Sequence, residues 1–123
     1  TTSSPCNLSQ QIAIRLLKDK DTYIEKKDND KIIHERYIIL KKSLDDYKLS
    51  DSVTVLPFNS GYFFTIKMPS KINAHDFRLK FLHDYKYGVY SMDNEHIRIA
   101  FSCLDKELIP DLVKNFKLCL NEF

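Results

Sequence analysis

One arginine sits where chemistry is possible. In residues 95 to 107, EHIRIAFSCLDKE, the residues Ile97, Ile99 and Phe101 alternate along one face of an expected strand. Arg98 lies on the other face, followed there by the short side chains of Ala100 and Ser102. A guanidinium is planar and always charged. It grips a carboxylate through two parallel hydrogen bonds, each charge-assisted bond contributing roughly 1.5–3 kcal/mol. Small neighbours leave room for a ligand to reach it. The structural alternative is an ion pair with Asp93 or Glu95, and the pattern alone leaves both readings open.

The rest of the chain holds little catalytic equipment. His34, His75, His83 and His96 are scattered and lack metal-ligand spacing such as H-x-x-x-H. No G-x-S-x-G elbow occurs, no paired-carboxylate motif stands out, and no lysine is marked as a Schiff-base former by a small-residue loop. The only glycines are Gly61 and Gly88, which excludes a glycine-rich phosphate loop. Cys6, Cys103 and Cys119 are too few and too dispersed for a disulfide framework or a zinc site, so a reducing, cytoplasmic compartment is expected. Nineteen basic residues against seventeen acidic ones leave a net charge of +2 with the signs interspersed. That balance argues against a nucleic-acid or membrane partner. No run approaches the roughly 18 apolar residues of a membrane span.

The elements that must hold Arg98 follow from periodicity. A first helix is expected near Asn7, with Asn7 as its cap and Gln10 as capping-box partner. A second, from about residue 21 to 47, carries Ile33, Tyr37, Leu40, Leu44 and Tyr47 on one face. The period then changes to two. VTVLP (53 to 57) reads as a short strand, and YFFTIKM (62 to 68) as another with Tyr62, Phe64, Ile66 and Met68 on one side. Asn73 caps a helix bearing Phe77, Phe81, Leu82 and Tyr85, with Gly88 expected at its left-handed end. VYSM and HIRIAF form two more strands around the turn DNE. A last helix from about residue 105 uses Ile109, Leu112, Val113, Phe116 and Leu120, with Pro110 in its first turns. This predicts one α+β domain over residues 1–123: a connecting loop and helix (1–20), a long linking helix (21–49), and a sheet-and-helix layer (50–123). The sheet is largely antiparallel, with helices on one face. Its other face has no cover in this chain, so the isolated domain is expected to self-associate.

Four stretches together resemble a known family. NSGYFFTIKMP followed by a helix, YGVYSM, HIRIAFSCLDKELIPDLVKNF and the opening TTSSPCNLSQQIAIRLLKD are similar to the C-terminal small domain of class I/II, fold-type I pyridoxal-phosphate-dependent aminotransferases, the aspartate aminotransferase group. The resemblance covers the whole chain but only the last third or so of a full enzyme. It implies that Arg98 grips the substrate α-carboxylate, and that Gly61 sits at the active-site mouth, either allowing close backbone approach or simply turning the chain. It places the loop of residues 1 to 7 near a dimer interface and the cofactor. It further implies a homodimeric parent using pyridoxal phosphate, amino-acid and keto-acid substrates, and a large domain preceding Thr1 that supplies the Schiff-base lysine. The chain by itself is then expected to bind no cofactor and to be inactive. SMDNEHIR is shorter than the family's usual segment and lacks its Pro-Gly turn, so the substrate stays open.

The alternatives are a free-standing ferredoxin-like module binding RNA, with Tyr62 and Phe64 stacking on bases, and a domain binding a small effector.

Overall fold

The long helix expected around residues 21 to 47 is present, and its apolar stripe is the base on which the sheet layer is built. The computed structural model describes residues 6–59 and 61–123. These fall into two units, Thr1–Ile32 and Ile33–Phe123.

The first unit holds α1 (Asn7–Lys18) and the beginning of α2 (Lys20–Tyr47). Asn7 is the first helical residue and not the cap. Cys6 takes that position without a side-chain bond, and its carbonyl accepts the Gln10 N–H at 3.1 Å. Asp19 interrupts the two helices in extended conformation, and its carboxylate accepts the Asp21 N–H at 3.1 Å. An exposed acceptor there satisfies a donor at the start of α2 that no carbonyl reaches. No residue of α1 is buried, Leu8, Ile12 and Leu16 included.

In the second unit the order is the end of α2, β1 (Thr54–Val55), β2 (Phe64–Lys67), α3 (Ala74–Tyr85), β3 (Tyr90–Ser91), β4 (His96–Ile99) and α4 (Ile109–Leu120). The four strands run β1-β2-β4-β3, and every pairing is antiparallel. Two hairpins therefore lie side by side, with α3 between them in sequence. This is not the β-α-β-β-α-β connectivity of a ferredoxin-like module, which corrects the alternative framed from sequence. The α+β layer itself is as expected.

One face of the sheet is closed by apolar packing. Phe64, Ile66, Met68, Ile97 and Ile99 meet Leu40 of α2, Phe77 and Phe81 of α3, and Ile109, Leu112, Val113 and Phe116 of α4. Tyr62, expected on that face, is exposed, because it precedes the strand proper. The Phe77 and Phe116 ring centroids lie 4.6 Å apart with the rings tilted, so the two last helices share an aromatic seam. The seam begins at Asn73, whose side chain caps α3 by accepting the His75 and Asp76 N–H groups. The left-handed end of α3 falls on Lys86 (φ 64°), two residues before the glycine expected there. A short 3-10 turn at Lys106–Leu108 leads into α4, which opens at Ile109 with Pro110 beside it.

Polar contacts fasten the end of the chain. Lys80 Nζ lies 2.8 Å from Glu122 and 2.9 Å from Asp84, and the Tyr85 hydroxyl donates to Glu122 at 2.5 Å. The Lys80 and Tyr85 hydrogen bonds hold the Glu122 carboxyl below its ordinary value, and the Lys80 bond does the same for Asp84. The bond to Glu122 pushes the Tyr85 phenol up to about 12 and raises Lys80 as well. A depressed carboxylate stabilises the fold above its unfolded pKa and loses that contribution as pH falls through the folded one. The melting temperature should thus fall on acidification below the ordinary glutamate value of 4.5. Glu122→Gln should flatten that fall, and identical acid profiles for the two proteins would refute the assignment.

Candidate functional site

The pairing of β4 fixes where Arg98 points. Thr65 of β2 lies opposite it on one side and Tyr90 of β3 on the other. Ile97 and Ile99 face the core, so the period of two sends Arg98 to the opposite face of the sheet. There the guanidinium lies 4.8 Å from the Phe63 ring centroid and 5.2 Å from that of Tyr90. One ring comes from β3 and the other from the residue just before β2. Each contact contributes roughly 0.5–1 kcal/mol at such a half-exposed position, and together they hold the guanidinium plane.

The carboxylates near it in sequence are occupied elsewhere. Asp93 receives the Glu95 and His96 N–H groups at 2.8 Å and lies 2.9 Å from the His96 ring nitrogen, and these bonds keep its carboxyl below its usual range. Glu95 pairs with Lys67 at 3.5 Å. Among the described residues no ion pair or hydrogen bond engages the Arg98 side chain. The structural alternative raised by the sequence, a partner at Asp93 or Glu95, is therefore not what the fold builds. A concavity of about 190 Å³ opens beside it, lined by Phe63, Gly88, Val89, Tyr90, Arg98 and Ala100. The arrangement is one fixed, paired-donor cation at the floor of a shallow apolar site. It suits a planar anion that can take both donors at once.

Gly61 lies just before β2 with φ +101°, a conformation that side-chain-bearing residues rarely adopt. A Cβ there would meet nothing within 4 Å among the described residues, and the positive φ by itself favours glycine at this turn. Residues 1–5 of the loop expected near a cofactor lie outside the described residues. His34, His75 and His83 are exposed, and no group of three metal-ligating side chains occurs among the described residues. Cys6 and Cys103 are exposed free thiols and Cys119 is buried, its thiol pushed up to about 11 by desolvation. No helix is long and apolar enough to cross a membrane among the described residues.

Sequence reasoning missed Arg36. It lies one position before the Tyr37 stripe of α2, and its Nη1 donates to the carbonyl oxygen of Ser102, in the turn that follows β4. The charged run around it hid a contact that only the fold creates.

No family model matches the chain, and no curated protein sequence matches it. Solved structures do. The α-aminoadipate aminotransferase of Thermus thermophilus, crystallised with N-(5'-phosphopyridoxyl)-L-leucine, is 16% identical over 75% of this chain, with a TM-score of 0.66. The aromatic aminotransferase of Pyrococcus horikoshii is 13% identical over 88%, with a TM-score of 0.70. A decarboxylase from Sulfurospirillum multivorans is 24% identical over 92%, also with a TM-score of 0.70. The chain spans 25%, 30% and 29% of those three proteins. The likeness is one of fold: the chain resembles the C-terminal small domain of fold-type I pyridoxal-phosphate-dependent aminotransferases.

Proposed function

We propose that this chain is the small-domain part of a pyridoxal-phosphate-dependent aminotransferase, and that Arg98 binds the α-carboxylate of its amino-acid and keto-acid substrates. The observation that carries the reading is the guanidinium of Arg98, without an ion-pair partner among the described residues and lying against Phe63 and Tyr90. A carboxylate placed in its plane takes two parallel bonds, and a substrate fixed that way reaches the reacting geometry before bond breaking begins. When bound, the cofactor supplies the electron sink for the substrate Cα.

The lining of the concavity fits the carboxylate end of a substrate and not the cofactor. It contains no lysine, so the residues around Arg98 do not themselves make a site for the cofactor aldehyde. In this reading the rest of the enzyme provides that site, its large domain covers the open sheet face, and these 123 residues alone are inactive. The enzyme is a homodimer, and three free thiols suit a reducing cytoplasmic setting. Gly61 then shapes the mouth of the site by turning the chain into β2.

A second reading, amino-acid decarboxylation, is favoured by the likeness to the Sulfurospirillum multivorans decarboxylase. Arg98 weighs against it. An arginine paired with the α-carboxylate stabilises the anion in the ground state and opposes its loss as neutral carbon dioxide. The test incubates the full gene product carrying this chain, supplied with pyridoxal phosphate and 2-oxoglutarate or pyruvate, with each proteinogenic L-amino acid. Keto-acid formation is the expected result. Carbon dioxide and an amine would replace transamination by decarboxylation, and neither product from any amino acid would overturn both readings.

A further inference from the structure

The turn after β4 is tied on two sides, and one tie leads back to Arg98. Arg36 of α2 donates from Nη1 to the Ser102 carbonyl. The Ser102 N–H in turn donates to the Tyr62 carbonyl at 3.4 Å. Tyr62 adjoins Phe63, whose ring lies on the Arg98 guanidinium. The Lys106–Glu35 pair at 3.2 Å fastens the next turn, Lys106–Leu108, to the same helix. Arg36 is half-buried, and no ion pair engages it among the described residues. A half-buried cation spent on a backbone carbonyl is an expensive way to hold a surface turn. It gains a reason if the turn must be held in one place.

We propose that Arg36 is a positioning residue for the Arg98 site. By holding Ser102 it sets the distance between the entrance of β2 and the exit of β4, and so the placement of Phe63 over Arg98 and of Ala100 beside it. Arg36 touches no substrate. Its effect passes through the Ser102–Tyr62 link to the ring that orients the guanidinium. This inference rests on the carboxylate-binding reading of Arg98.

A contiguous route between two residues is not coupling until coupling is measured. The experiment is a double-mutant cycle in the full gene product, following KM and kcat with the best amino acid found in the panel above. Arg36→Met should raise KM about fivefold to tenfold with a smaller change in kcat. Arg36→Lys should recover most of the loss, because only one of the arginine donors is used on the Ser102 carbonyl. In an Arg98→Ala background, Arg36→Met should change KM less than about twofold, since neighbours acting as one unit are not additive.

Equal effects of Arg36→Met with and without Arg98 would overturn the proposal, as would an unchanged KM in the single variant. Arg36→Gln runs the same cycle if the Met variant does not accumulate. If Arg98→Ala itself leaves KM unchanged, the carboxylate-binding reading fails, and that result is read separately from the cycle.

Discussion

Arg98→Lys should lower kcat/KM for the amino-acid substrate about a hundredfold while leaving the fold intact. Two losses combine. The ammonium of lysine is a compact charge and cannot offer the paired, coplanar donors, so one charge-assisted bond of roughly 1.5–3 kcal/mol is lost. Its stem also stacks poorly between Phe63 and Tyr90, where the guanidinium gains roughly 0.5–1 kcal/mol per ring. Their sum is about 2.5–5 kcal/mol, and each 1.36 kcal/mol is tenfold in rate, so a hundredfold loss is the lower end of the expected effect. Stability should hardly change, because no carboxylate pairs with Arg98 among the described residues, so none is left behind uncompensated. Steady-state kinetics beside a thermal melt separate the two effects. Full activity in the lysine variant would mean that a point charge suffices there, and the paired-donor role of Arg98 would fail. The same activity loss accompanied by a large drop in melting temperature would instead make Arg98 a structural residue.

Much of this site was legible in the sequence because its determinants are local. The alternation of Ile97, Ile99 and Phe101 fixed which way Arg98 faces without reference to any other strand. Asn73 was readable as a cap because an N-cap needs only its own side chain and the next two or three amides. The errors fall where a second element decides. Asn7 has a capping side chain, but the helix begins at it and leaves Cys6 in the cap position. Lys86, and not Gly88, takes the left-handed end of α3, at which the Lys86 N–H returns to the Leu82 carbonyl. Tyr62 continued the alternation of β2 on paper, yet the strand begins two residues later and the ring stays exposed. Arg36, Phe63 and Tyr90 gave no signal at all as a group. They are brought around one turn and one guanidinium only by the pairing of β4 between β2 and β3 and by the approach of α2 to the turn after β4. Non-local pairing of that kind has no footprint in a window of ten residues.

Phe63 and Phe64 are adjacent in sequence and should respond to alanine in opposite ways. Phe64 is 2% exposed, pairs with Ile99 and lies within 5.5 Å of Phe58 and 6.4 Å of Phe101. Its truncation opens a cavity in the layer beneath the sheet, and Phe→Ala at such a site destabilises by about 3–5 kcal/mol. For a domain of this size that is a large part of the whole stability, on the order of 5–15 kcal/mol. Phe63 is 47% exposed on the other face, where its ring packs on Arg98. Phe63→Ala should lower stability by less than about 1 kcal/mol, the size of the cation–ring contact it removes. It should nevertheless raise KM for the amino-acid substrate severalfold, because the guanidinium then has one ring to hold its plane instead of two. Urea unfolding of both variants, read beside their kinetics, makes the comparison between adjacent residues of one chemistry. A Phe63→Ala variant as unstable as Phe64→Ala would mean that the open face is packed in the folded protein, and the site at Arg98 would have no room for a ligand. A stable Phe63→Ala variant with altered KM would tie the alternation at the entrance of β2 directly to two tasks, burial on one face and recognition on the other.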